Sequence, residues 1–311
     1  MKILITGGYG LIGGRLANYF FKKGFDVIIG TRNIDNNFTS DNYKKVITNW
    51  DDEEKLREIC IGVDYIIHAA GMDSSDCKLN PILANEFNGY TTNLLVNAAI
   101  KENVKKFIYI SSIHVYNSDL NGNYNEFSNL ENNSPYAISN SIGEKFVLKA
   151  NSHKSFDGIV LRFSNCFGYP VFKNNKCWSL IVNNFCLQAS RDMKISINSD
   201  INIIRDFIPI RNVSDMVYNI LFSENKFNYQ YPINICSEKT YSLIEIAEKV
   251  KIRSLALFHN NIEIISKIDK NSILKEFSIH SLYYKFFNKT EELDIDSEID
   301  DLLIFCKENI I

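Results

Sequence analysis

No stretch of this 311-residue chain approaches the ~18 consecutive apolar residues that would suggest a membrane span. Only one lysine and an apolar run of three residues precede the first threonine and glycines, so no secretory leader is expected. CxxC spacing is also absent. The seven cysteines (60, 77, 166, 177, 186, 236 and 306) are scattered and odd in number. That argues against a disulfide frame or a zinc site, and for reduced thiols in the cytoplasm. There is no basic block: 34 Lys and Arg face 37 Asp and Glu, for a net charge of −3, so nucleic acid is not an expected partner. Neither an internal repeat nor a low-complexity segment occurs. What is present is a 45% hydrophobic composition, enough for a sizeable core in one large domain or two small ones.

The chain is organised around Lys2 to Gly14, KILITGGYGLIGG. Ile3-Leu4-Ile5 reads as a buried strand, Gly7, Gly10 and Gly13 follow at three-residue spacing, and Leu11, Ile12, Leu16, Ala17 and Phe20 recur at helical spacing. Strand, glycine turn and helix form a dinucleotide-binding arrangement. Gly7 permits the tight turn, Gly10 leaves room for a pyrophosphate against the backbone, and Gly13 lets the helix pack close to the strand. The helix N-terminus offers free N–H groups to the phosphates.

Strand and helix then alternate. Strands are expected at 25–30, 45–48, 64–71, 106–112 and 159–163, and helices at 88–101 and 135–149. Ser134 is the expected N-cap of the second helix, with Pro135 at its first position. The alternation predicts a doubly wound parallel sheet, Rossmann-type, over residues 1–167. Beyond Gly168 the rhythm breaks, which predicts a smaller C-terminal substrate lobe over 168–311, partly interleaved because 207–236 returns to the first domain. Ser242 is read as the cap of a helix from Leu243 to Val250. Ile299, Leu302, Leu303 and Cys306 are read as the buried stripe of a terminal helix.

At the end of the second strand stand Thr31 and Arg32, where a protein selecting NAD usually has an acid for the ribose 2′-OH. A guanidinium suits a 2′-phosphate instead, so NADP(H) is favoured over NAD(H).

Several ordered motifs carry a family resemblance: TGGYGLIGG (6–14), DYIIHAAG (64–71), FIYISSIHVY (107–116), SPYAIS (134–139), LRFSNCFG (161–168), RDFIPIRNVSD (205–215) and INICSEKTYSL (233–243). The chain resembles the extended short-chain dehydrogenase/reductases of the nucleotide-sugar epimerase/dehydratase/reductase group. The resemblance implies a nucleotide-sugar substrate and a cofactor site made from Gly7, Tyr9, Gly10, Leu11, Ile12, Gly13, Thr31, Arg32, Asn49, Trp50, Ala69, Ala70, Gly71, Ser111, Tyr136 and Asn140. It makes Tyr136 the proton-transfer group and Ser112 its hydroxyl partner, with Ser112, His114, Asn165 and Arg205 toward the substrate. A diphosphate suits the amide of Asn165 and the guanidinium of Arg205.

Two departures stand out. The family lysine four residues after the tyrosine is Asn140 here, which can hydrogen-bond a ribose but cannot stabilise a phenolate by charge. This opens a second reading, a dinucleotide and nucleotide-sugar binding protein without turnover. The acid pair that the family's 4,6-dehydratases carry after the serine is Ile113-His114 here, so 4,6-dehydration is not expected and keto-sugar reduction or C4 epimerisation is. A homodimer is expected through helices 88–101 and 135–149, on the strength of Leu94, Leu95, Val96, Phe146, Val147 and Leu148.

Overall fold

Seven parallel strands form the main sheet, in the spatial order Ile233–Ile235, Asp157–Phe163, Lys106–Ser112, Tyr65–His68, Lys2–Thr6, Asp26–Thr31, Lys44–Ile47. The computed structural model describes residues 1–33, 42–173, 175–222, 229–266, 276–287 and 294–309. Strand order reverses between Lys2–Thr6 and Tyr65–His68, which pair from Ile3–Tyr65 to Thr6–His68. A crevice opens at such a reversal, outside the carboxyl ends of the strands. The fold is the Rossmann-type α/β arrangement the sequence predicts.

Both faces of the sheet are covered, as a parallel sheet requires. On one face, Ile3, Ile5 and Ile29 pack with Leu16 and Phe20 of the Leu11–Lys22 helix and with Val213, Val217 and Ile220 of the Ile210–Phe222 helix. On the other, Leu4, Ile66 and Phe107 pack with Leu56, Leu95, Val96 and Val147.

The helix expected over 88–101 starts earlier and differently. Asn85–Tyr90 is a π-helical segment that continues into the α-helix Thr91–Lys101. A Cβ on Gly89 would sit 2.6 Å from Ile142 Cγ2, so this segment packs against the Pro135–Lys149 helix with little room to spare.

A second core gathers Phe185, Phe207, Ile246, Ile299 and Leu302 around helices Ile181–Asp192, Leu243–Phe258 and Ile295–Asn309. Ser242 caps the middle helix in a reciprocal box with Glu245, and that helix runs beyond Val250 to Phe258 before His259 ends it with φ 58°. Ile299, Leu302, Leu303 and Cys306 are fully buried, as the terminal stripe predicts. The same helix also carries Glu298, wholly buried, 3.0 Å from the Arg15 guanidinium and 3.4 Å from that of Arg211. Gly168, at φ +147°, makes room for this carboxylate: a Cβ there would lie 2.3 Å from Glu298 Oε1. Among the described residues no helix is long and apolar enough to cross a membrane, no metal-binding cluster occurs, and all seven cysteines are free and buried.

Candidate active site

The glycine loop is shaped by close approach. Gly7 has φ +67°, and a Cβ there would meet Ala69 O at 2.7 Å, while one on Gly13 would meet Gly7 O at 2.4 Å. Gly10 differs: a Cβ there meets only Gly7 O, at 3.2 Å, so its open side faces the crevice. The helix Leu11–Lys22 begins directly after it and aims its N-terminal N–H groups at that space.

Two adjoining cavities, about 460 and 510 Å³, share the wall Gly10, Ala69, Ala70, Gly71, Asp73, Asn175 and Lys176. The first also takes in Leu11, Ile12, Gly13, Ser111, Ser112, His114, Tyr136, Asn140 and Asn165. The second takes in Gly7, Tyr9, Thr31, Arg32, Thr48, Trp50 and Phe87. Together they make one groove with two ends. The groove fits a dinucleotide on three grounds. Gly10 leaves a cradle that a side chain would narrow, Trp50 Nε1 is buried without a hydrogen-bond partner at one end, and Arg32 is exposed without an ion-pair partner among the described residues.

At the other end, Tyr136 opens the Pro135–Lys149 helix, where Ser134 accepts from Ala137 N as N-cap. The Ser112 hydroxyl lines the same cavity as the Tyr136 phenol and acts to lower its pKa. Burial pushes that phenol above its ordinary pKa, Ser112 opposes this, and Cys77 and Asp73 add to it; no cation among the described residues acts on it. Burial brings His114 down to about 4, helped by the charge of Arg205 and opposed by a hydrogen bond to Asn165. His114 is therefore neutral at pH 7. It faces the cavity beside Asn165, which a generic loop histidine would not.

Some expected residues do something else. Asn49 does not line the groove; its neighbours Thr48 and Trp50 do, and the Asn49 carbonyl accepts from Asp52 N at the approach to the next helix. Ser111 reaches the cavity wall, but its hydroxyl donates to Glu144 Oε1 at 2.6 Å, where Glu144 pairs with buried Arg162. Arg205 does not line either cavity. Its Nη1 donates to Ile204 O at 2.8 Å, and it does not pair with Asp206, which turns inward to accept from Ser237. The amide of Asn140 is tied at both ends: Nδ2 donates to Tyr136 O at 2.8 Å, and Tyr109 Oη lies 3.2 Å from Oδ1. Lys145 is exposed and does not take the place of a lysine at 140.

Other residues were missed by the sequence reading. Asn88 accepts from Met72 N at 2.7 Å and donates to Ser139 Oγ at 3.1 Å, so it joins the segment after the Tyr65–His68 strand to the tyrosine-bearing helix. Asn175 donates to Tyr9 O at 2.9 Å, tying the segment before the Cys177–Ser179 turn to the glycine loop, and Lys176 pairs with Asp76 at 3.6 Å beside it. These contacts join residues far apart in sequence, and spacing alone carries no signal of them. Asp73 stands two residues past the Ala-Ala-Gly segment, which is the only sequence cue to its place in the groove.

The profile of the NAD dependent epimerase/dehydratase family matches residues 3–236. The chain belongs to this family. Among curated relatives, the dTDP-D-glucose 4,6-dehydratase of Homo sapiens is 30% identical over 209 residues, 61% of this chain and 59% of that protein, so it is matched over less than two thirds of its length. A putative UDP-glucose 4-epimerase of Methanocaldococcus jannaschii is 25% identical over 258 residues, 80% of this chain and 81% of that protein. The structure of a UDP-glucose 4-epimerase from Thermotoga maritima with UDP-glucose superposes with TM-score 0.84 at 19% identity, covering 100% of both chains. At that identity the likeness speaks for the fold.

Proposed function

We propose that the protein is an oxidoreductase or epimerase that acts on a nucleotide-activated sugar and prefers NADP(H) to NAD(H). The observation that carries this is the Ser112–Tyr136 pair in a cavity continuous with the glycine-lined groove. When bound, the nicotinamide supplies or accepts hydride. Tyr136 exchanges a proton with a sugar oxygen, and Ser112 holds that oxygen by a hydrogen bond. Asn165 and His114 present neutral polar groups to the substrate side. Arg205, set back from the cavity wall, contributes positive charge there and supports a diphosphate through its field. Burial of Ile113 in a small apolar cluster, with a neutral His114 beside it, leaves these two positions without an acid, which supports epimerisation or keto-sugar reduction over 4,6-elimination.

Asn140 favours a second reading, binding of both ligands without turnover. A thermal-shift panel of NAD(H), NADP(H) and UDP-, GDP- and dTDP-sugars, followed by turnover assays on the sugars that bind, tests both. Cofactor and sugar shifts with turnover support the first. Shifts without turnover support the second, and no shift with any nucleotide overturns both.

A further inference from the structure

Asp73 stands where the two ends of the groove meet, lining both cavities. Its backbone is set by its neighbour: Met72 N and O are both bonded to the Asn88 amide, at 2.7 and 3.3 Å. One carboxylate oxygen accepts from Asp76 N at 2.9 Å and caps the short Ser74–Leu79 helix. The other oxygen has no partner among the described residues, and no cation there pairs with Asp73. Nearby, the slot of the family lysine holds Asn140, uncharged and tied at both amide ends to Tyr136 O and Tyr109 Oη.

We propose that Asp73 takes over the missing lysine's hold on the nicotinamide-side ribose, its uncommitted carboxylate oxygen accepting from the ribose hydroxyls. The inference rests on the dinucleotide reading above. A carboxylate offers acceptors only, and a ribose diol offers two donors, so the chemistry is complementary. The same pairing of an acid with ribose hydroxyls is used at the adenosine end of many dinucleotide sites. The exchange of lysine for aspartate also reverses the sign of the charge beside the phenol.

Helix capping alone would also place an aspartate here, and substitution separates the two roles. Asn and Ser are both good N-caps, so Asp73→Asn and Asp73→Ser keep the helix start and remove the carboxylate. Calorimetry on the full chain with NADH and with ADP, which lacks the nicotinamide ribose, reads the difference. NADH is expected to bind about tenfold more weakly to both variants, the loss of a charge-assisted hydrogen bond, while ADP changes by less than about twofold. Unchanged NADH affinity overturns the proposal and leaves the dinucleotide reading intact. Parallel loss of NADH and ADP assigns Asp73 a purely structural role and overturns it too. If the unmutated protein binds neither of these nor NADPH, the dinucleotide reading falls and this inference with it.

Discussion

The Asn140 side chain donates to the carbonyl oxygen of Tyr136, one helical turn earlier, at 2.8 Å. A lysine in that place would send its charge toward the phenol; the asparagine instead closes back on its own helix. With burial acting against the phenolate and no cation among the described residues opposing it, turnover in the oxidation direction is expected to be slow at neutral pH and to rise toward alkaline pH. Asn140→Lys should move the rise to lower pH and speed the reaction at pH 7 by about tenfold. Tyr136→Phe should abolish turnover and leave cofactor affinity nearly unchanged. A fast, flat pH profile in the unmutated protein would refute this account.

Arg32 lines the groove end opposite Tyr136, its guanidinium 5.9 Å from the centre of the Phe87 ring. NADPH should bind more tightly than NADH. Arg32→Ala should weaken NADPH by about tenfold, the loss of a charged hydrogen bond, and leave NADH almost unaffected. Tighter binding of NADH by the natural sequence, in the same titration, refutes the preference.

His68 is buried beneath the reversal point, 2.6 Å from Thr6 Oγ1 and 3.1 Å from Thr92 Oγ1. Thr92 donates its own proton to Asn88 O, so His68 Nε2–H donates to Thr92 and Nδ1 accepts from Thr6. Burial lowers the imidazole pKa from 6.5 to about 3. The unfolded chain therefore takes up this proton at higher pH than the folded one. The stability His68 contributes is complete above about pH 6.5 and is lost as pH falls toward 3, by about 1.4 kcal/mol per pH unit. Urea unfolding at pH 7 and pH 5 should show a larger loss for the natural sequence than for His68→Gln. Equal losses would show that other groups set the acid response.

Glu298 is held by Arg15 and Arg211 in the interior. Removing one partner of a buried pair leaves the other charge uncompensated, so Glu298→Ala should cost about 3 kcal/mol in urea unfolding. A cost under about 0.5 kcal/mol, the size of a surface substitution, would show that the pair is not coupled to the fold.

The homodimer proposal changes its contact residues. Leu95, Val96 and Val147 are buried in the chain's own core, with Leu94 and Leu148 packed against it, and Phe146 meets Tyr90 at 5.9 Å. The exposed apolar residues of these helices and their neighbours are Leu79, Ile82, Leu83, Tyr90 and Ile138. Light scattering at micromolar concentration should give a dimer mass, and Ile82→Glu with Tyr90→Glu should give a monomer. A monomeric natural sequence sinks the idea.

The Lys2–Gly14 stretch announced its structure because strand, turn and helix are local, and Gly7 and Gly13 stand where any side chain collides with backbone. The start of the Pro135–Lys149 helix was legible for the same reason, through Ser134 and Pro135. Apolar spacing could not say whether Leu95 and Val147 face this chain or another copy. Nor could spacing reveal that Ser111 serves Glu144, that Arg205 stops short of the cavity, or that Asn88 binds Met72, since each depends on segments that meet only after folding. Asp73 was overlooked because an exposed acid after a strand looks like ordinary surface until the groove is built around it.

Arg15 lies in the helix that follows the glycine loop, and its buried carboxylate partner lies 283 residues downstream. Until that distant helix has been made and has docked, the guanidinium next to the glycine loop must stay hydrated. The ion pair that completes the burial of Arg15 therefore cannot form before the Ile295–Asn309 helix has been translated, whereas the apolar face of the same helix can pack on its neighbouring strands earlier.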